Sequence, residues 1–93
     1  MVEYLNAVVC VHPNDSGRYV FRAPDTSNRK LNVGDRVLVD TKRGPGQMAQ
    51  CITPQFRIAD FQLKEFYGVD VINLRPVKAY LHPVVCANVR LKG

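Results

Sequence analysis

Residues 18–53 read RYVFRAPDTSNRKLNVGDRVLVDTKRGPGQMAQCIT, and their pattern decides the fold class. Tyr19, Phe21 and Ala23 alternate with Arg18, Val20 and Arg22, the period-two signature of a short strand. The polar run PDTSNRK at 24–30 has turn chemistry and reads as a loop. A Gly34-Asp35 step then leads into RVLVDT at 36–41, where Val37 and Val39 would share one face. Lys42, Arg43, Gly44, Pro45 and Gly46 form the expected tip of a hairpin, with Gly44 and Gly46 shaping the loop. QMAQCIT at 47–53 is its return strand, and Pro54 ends it because proline cannot donate to a ladder.

Upstream, EYLNAVVCV at 3–11 is rich in β-branched residues and stops at His12-Pro13. Leu5, Ala7, Val9 and Val11 would line one face and Tyr4, Val8 and Cys10 the other. A strand apolar on both faces belongs inside a sheet or barrel, not on its solvated edge. HPNDSG at 12–17 is a turn. Downstream, FRI at 56–58 suggests a brief strand. DFQLKEFY at 60–67 suggests a short helix, with Asp60 as N-cap and Gly68 as stop. Pro76 divides DVINLRPVKAYL, which predicts a strand at 70–75 and an irregular or edge segment after it. Val85, Ala87, Val89 and Leu91 alternate with Asn88, Arg90 and Lys92, so the segment 84–92 reads as a strand with one buried side. Short strands at intervals of roughly ten residues predict one all-β domain over 1–93: a small, partly open β-barrel of OB or SH3-like type, with one short helix near 60–67.

Chemistry-bearing constellations are sparse. His12 and His82 both precede proline and read as turn residues, and Ser16 and Ser27 lie in expected turns without an activating partner. Cys10, Cys51 and Cys86 are widely spaced in apolar segments, without a C-x-x-C pair. That spacing opposes a disulfide framework and a zinc site, and each is expected to be a small buried hydrophobe. KRGPG lacks the G-x-x-x-x-G-K-[ST] pattern and following helix of a nucleotide P-loop, and Pro45 removes one N–H from it. The expectation is a protein that is not an enzyme and carries neither metal nor cofactor. Reduced thiols, the lack of a signal-like start and the lack of a long apolar run together predict a cytoplasmic protein that does not enter membranes.

Charge points to a partner. The net charge is +5, and the segment 29–57 carries four of those charges. Arg29, Lys30, Arg36, Lys42, Arg43 and Arg57 stand there against Asp35 and Asp40. Cations on a hairpin loop neutralise phosphates, and aromatics such as Tyr19, Phe21 and Phe56 could stack on bases. Arg29, Lys30, Lys42, Arg43 and Arg57 are therefore the expected nucleic-acid contacts.

The run Leu31, Val33, Gly34, Asp35, Val37, Val39, Thr41 and Gly44 matches an L-x-V-G-D-x-V-x-V-x-T-x-x-G pattern. It resembles the C-terminal domain of the polymerase-suppressor family. The wider stretch 18–53 is similar to the N-terminal DNA-binding barrel of the primosomal replication-restart helicase. These resemblances cover little over a third of the chain and imply a small barrel with DNA as partner. The chain's size and style also resemble products of phages or mobile elements. A second function class is a structural or oligomerising domain, in which Val84–Leu91 adds as an edge strand to another copy or another chain.

Overall fold

A computed structural model describes residues 1–24 and 30–81. The expected contact Arg29, the third cysteine Cys86, and the proposed edge strand at Val84–Leu91 lie outside the described residues. Among these described residues six strands form one antiparallel sheet: β1 (Tyr4–Val11), β2 (Tyr19–Arg22), β3 (Arg36–Thr41), β4 (Gly44–Cys51), β5 (Phe56–Ala59) and β6 (Val77–Leu81). The helix α1 (Asp60–Tyr67) follows β5, and a 3-10 turn spans Val71–Asn73.

β1 organises the sheet. One edge pairs with β2 through Ala7–Cys10. The other edge takes β5 along Tyr4–Ala7 and β4 at Cys10 and Val11. β4 and β5 thus share that edge, separated by Ile52–Gln55. In this gap the Val9 N–H donates to Thr53 Oγ1 at 3.2 Å. The chain at Gln55 leaves β1 and exchanges bonds with Leu31, both backbone to backbone and through the Gln55 side chain. β4 continues to β3, and β3 to β6, in the order β2-β1-β4-β3-β6. Among the described residues the sheet is not closed. Its outer segments meet at one isolated parallel bridge, Arg22 to Pro76, where the Arg22 N–H donates to the Arg75 carbonyl at 2.9 Å.

The two faces of β1 serve two cores. Val8 and Cys10 join Phe21, Ala23, Leu31, Val37, Val39, Ala49 and Cys51 on one side. Leu5 and Ala7 join Ile58, Leu63 and Leu74 on the other, beneath α1 and the 3-10 turn. The two-faced apolar pattern of the sequence therefore has a direct cause, since both faces are covered.

Several boundaries differ from expectation, each for a local reason. The hairpin tip is a two-residue turn at Lys42–Arg43, because Thr41 pairs with Gly44 and β4 begins there. Asp40 Oδ1 accepts the Gly46 N–H at 3.0 Å and Thr41 Oγ1 accepts the Arg43 N–H at 3.1 Å, which holds the glycines in the ladder. A register shift between Val39 and Thr41 leaves Pro45 where no ladder donor is needed. Asp40 reaches Lys78 of β6 at 3.8 Å. The strand expected at 70–75 is instead a turn, with Asn73 and Leu74 N–H groups bonded to the Asp70 and Val71 carbonyls. The strand starts after Pro76, at β6, which among the described residues pairs with β3 and so forms the edge segment expected there. α1 lies where expected, but Ala59 is the N-cap and Asp60 is the first helical residue; the Gln62 side chain accepts the Ala59 N–H. Gly68, at φ 71°, stops the helix in the left-handed region.

Leu63 is the only fully buried side chain of α1, so it is the anchor of the helix. Leu63→Ala is expected to lower unfolding free energy in urea by about 3 kcal/mol, in the range for buried leucine truncation. Phe66→Ala, on the exposed side at 65% accessibility, should change it by less than about 0.5 kcal/mol.

Candidate functional site

β1 ends at Val11, and the chain turns back through residues 12–18 to β2. The β3–β4 hairpin projects past the same end, because Val11 pairs with Gln50 and the Lys42–Arg43 tip lies a further seven residues along β4. The two projections touch. Arg43 Nη2 lies 3.3 Å from Asp15 Oδ2, and the Tyr19 hydroxyl donates to the same oxygen at 3.0 Å. Asp15 Oδ1 accepts the Gly17 N–H at 2.8 Å, an Asx-turn that aims the carboxylate. These contacts, led by the Gly17 N–H and then the Tyr19 hydroxyl, hold the Asp15 carboxyl below the usual carboxylate range. The same bond to Asp15 raises the Tyr19 phenol.

His12 is half-buried, not a free turn residue. Its Nδ1 donates to the Met48 carbonyl at 2.9 Å, which places the ring hydrogen on Nδ1. The ring packs 5.3 Å from Tyr19 and 6.0 Å from Phe21, the latter edge-on. The turn is thereby pinned to β4 on one side and to β2 on the other.

Beside this cluster lies a cleft of about 590 Å³. Its apolar lining includes Val20, Phe21, Val69 and Leu74. Lys42, Arg43 and Arg75 supply cations, Asp15 a carboxylate, and Tyr19 and Tyr67 exposed rings. Among the described residues neither Lys42 nor Arg75 enters an ion pair. The cleft combines a partly apolar lining with positive groups, a setting suited to a flat anionic ligand.

The expected contacts fall in different places. Lys42 and Arg43 line the cleft together, with Gly44 and Gly46 just behind them in β4. Lys30 is exposed beside Leu31, near the β4–β5 gap. Arg57 pairs with Asn6 toward the far end of β1 and lies 5.4 Å over the Tyr4 ring. Phe21 belongs to the core although it reaches the cleft, and Phe56 stacks on Tyr67 at 6.2 Å. His12, Asp15, Tyr67 and Arg75 are cleft residues that sequence reasoning missed. Arg75 had one readable signal, a lone cation before a proline; His12 and Asp15 share the 12–17 turn, and only the fold brings Tyr67 to them. No protein-family model, curated protein or solved structure matches this chain.

The Asp15 arrangement has a pH signature. Because its folded pKa lies below the unfolded value of about 3.9, its contribution to stability is present above that pH. It is lost as pH falls through the lower folded value. Asp15→Asn is expected to flatten the acid limb of a stability curve below about pH 4 while leaving its neutral region parallel to that of the parent. Equilibrium urea titrations across pH 2–7 measure this directly.

Proposed function

We propose that this chain is a non-enzymatic binding module that takes nucleic acid into the cleft between the Lys42–Arg43 turn, the His12–Tyr19 loop and the Tyr67–Arg75 connection. The carrying observation is the convergence of three cations and two exposed tyrosines around one cleft. Lys42, Arg43 and Arg75 contact phosphates, and Tyr19 and Tyr67 offer π-faces to unstacked bases. That combination favours a single strand, whose bases are free to enter. Lys30 and Arg57 serve as outlying contacts for a longer strand, and Arg29 remains an expected phosphate contact outside the described residues.

A partly open small barrel is the finer reading of the sheet. The Arg22–Pro76 bridge and the core enclosed by Val8, Phe21, Val37 and Ala49 support it. In that reading the cleft lies beside the bridge, at Arg75.

A second reading rests on a separate observation. Phe61, Phe66 and Ile72 are 56%, 65% and 88% exposed on and just after α1. Apolar side chains so exposed are the kind that protein interfaces cover, which suits a structural or oligomerising domain.

Fluorescence anisotropy with single- and double-stranded oligonucleotides at several salt concentrations tests the first reading. Single strands should bind more tightly, and Lys42→Ala should reduce the magnitude of the log–log salt slope by about 1. Arg75→Ala should act likewise, whereas Phe61→Ala should leave the slope unchanged. Absent binding at low salt, together with a concentration-dependent oligomer in light scattering that Phe66→Ser or Ile72→Ser abolishes, would favour the second.

A further inference from the structure

Cys10 and Cys51 face each other across the joint between β1 and β4. They are directly paired in the antiparallel register, with their sulfurs 3.8 Å apart although they stand 41 positions apart in the chain. The Ile52 N–H donates to the Val9 carbonyl, which makes Cys10–Cys51 a non-hydrogen-bonded pair. At such sites the Cα atoms stand about 4.5 Å apart, inside the range of roughly 4.4–6.8 Å that a disulfide spans. Side-chain rotation alone can then close the sulfurs to about 2.05 Å.

The joint itself is short. β1 and β4 share only the register pairs Cys10–Cys51 and Val11–Gln50. β1, β2, β5 and α1 lie on one side of it, and β3, β4 and β6 on the other. We infer that Cys10 and Cys51 form a reversible cross-strand disulfide under peroxide, which locks β4 to β1 and fixes the β3–β4 hairpin against the His12–Tyr19 loop.

The chemistry balances with hydrogen peroxide as oxidant. One sulfur attacks the peroxide O–O bond, giving a sulfenic acid and one water. The other sulfur attacks that sulfenic sulfur, the S–O bond breaks, the S–S bond forms and a second water leaves. Two thiol hydrogens and the two peroxide oxygens are thereby accounted for. Both sulfurs are closed to solvent, so oxidation proceeds through transient opening of the short joint, which admits a small neutral oxidant. The Cys10 thiol donates to Cys51, which together with burial holds Cys10 in its protonated form and lowers Cys51. Either sulfur can be oxidised first, and the other then resolves it.

The test uses the full chain carrying Cys86→Ser, so that only this pair can react. Peroxide-treated and dithiothreitol-treated samples are alkylated in denaturant, digested without reduction and mapped by mass spectrometry. The expected product joins the Cys10 and Cys51 peptides within one chain. Its melting temperature should exceed that of the reduced form by on the order of 10 °C, reversibly, as for closure of a long loop. Cys10→Ala should show neither change. Comparing two redox forms of one protein keeps the result independent of how well that variant folds. Intermolecular links, sulfinic acid without a linked peptide, or an oxidised form that melts no higher would overturn the inference.

Discussion

The structure depends on the double burial of β1. A single eight-residue strand supplies Val8 and Cys10 to one core and Leu5 and Ala7 to another, while three other strands pair along its two edges. Each buried aliphatic side chain contributes roughly 1.5–3 kcal/mol of transfer free energy. In a domain whose net stability is on the order of 5–15 kcal/mol, losing β1 removes the fold. Every other element is placed by what it must cover: β2 and β4 enclose one core, and β5, α1 and the Val71–Asn73 turn cap the other.

That arrangement explains why the cleft forms where it does. β1 is too short to support the whole length of β4, so the hairpin extends past Val11 without a strand neighbour on that side among the described residues. The returning turn at 12–18 fills part of the space and ties itself to the hairpin through Asp15, Arg43 and His12. Exposed ion pairs of this type contribute little alone, and here the Asx-turn, the Tyr19 hydroxyl and the ring packing set the geometry jointly. The Tyr67–Arg75 connection comes up against the outer edge of β2 and closes the remaining side. The positive character of the cleft thus follows from three separate stretches of chain ending at one end of the sheet.

Legibility followed the range of the interactions. β1, β2, β3, α1 and the hairpin were readable because alternation, glycine placement and turn residues act over a few positions. The edge segment expected after Pro76 is β6, but the strand expected at 70–75 is a turn, since DVINL has strand-forming residues without a partner edge among the described residues, whereas VKAYL meets β3. The hairpin tip is shorter than the KRGPG stretch suggests because the side chains of Asp40 and Thr41, not the glycines alone, decide where the ladder resumes. At the site, Lys42 and Arg43 were legible as adjacent cations on a turn. Their distance from Arg57 was not, because charge counted along the chain ignores which end of the sheet each residue occupies.

The sequence by itself determined a β-rich domain, the basic turn at Lys42–Arg43, the helix 60–67 and the buried character of Cys10 and Cys51. All of these rest on local periodicity and side-chain chemistry. Only the tertiary structure decided that Cys10 lies opposite Cys51, that Asp15 holds Arg43, and that Tyr67 and Arg75 share a cleft with the hairpin. Strand register sets those contacts, and register emerges only when both faces of β1 are buried at once.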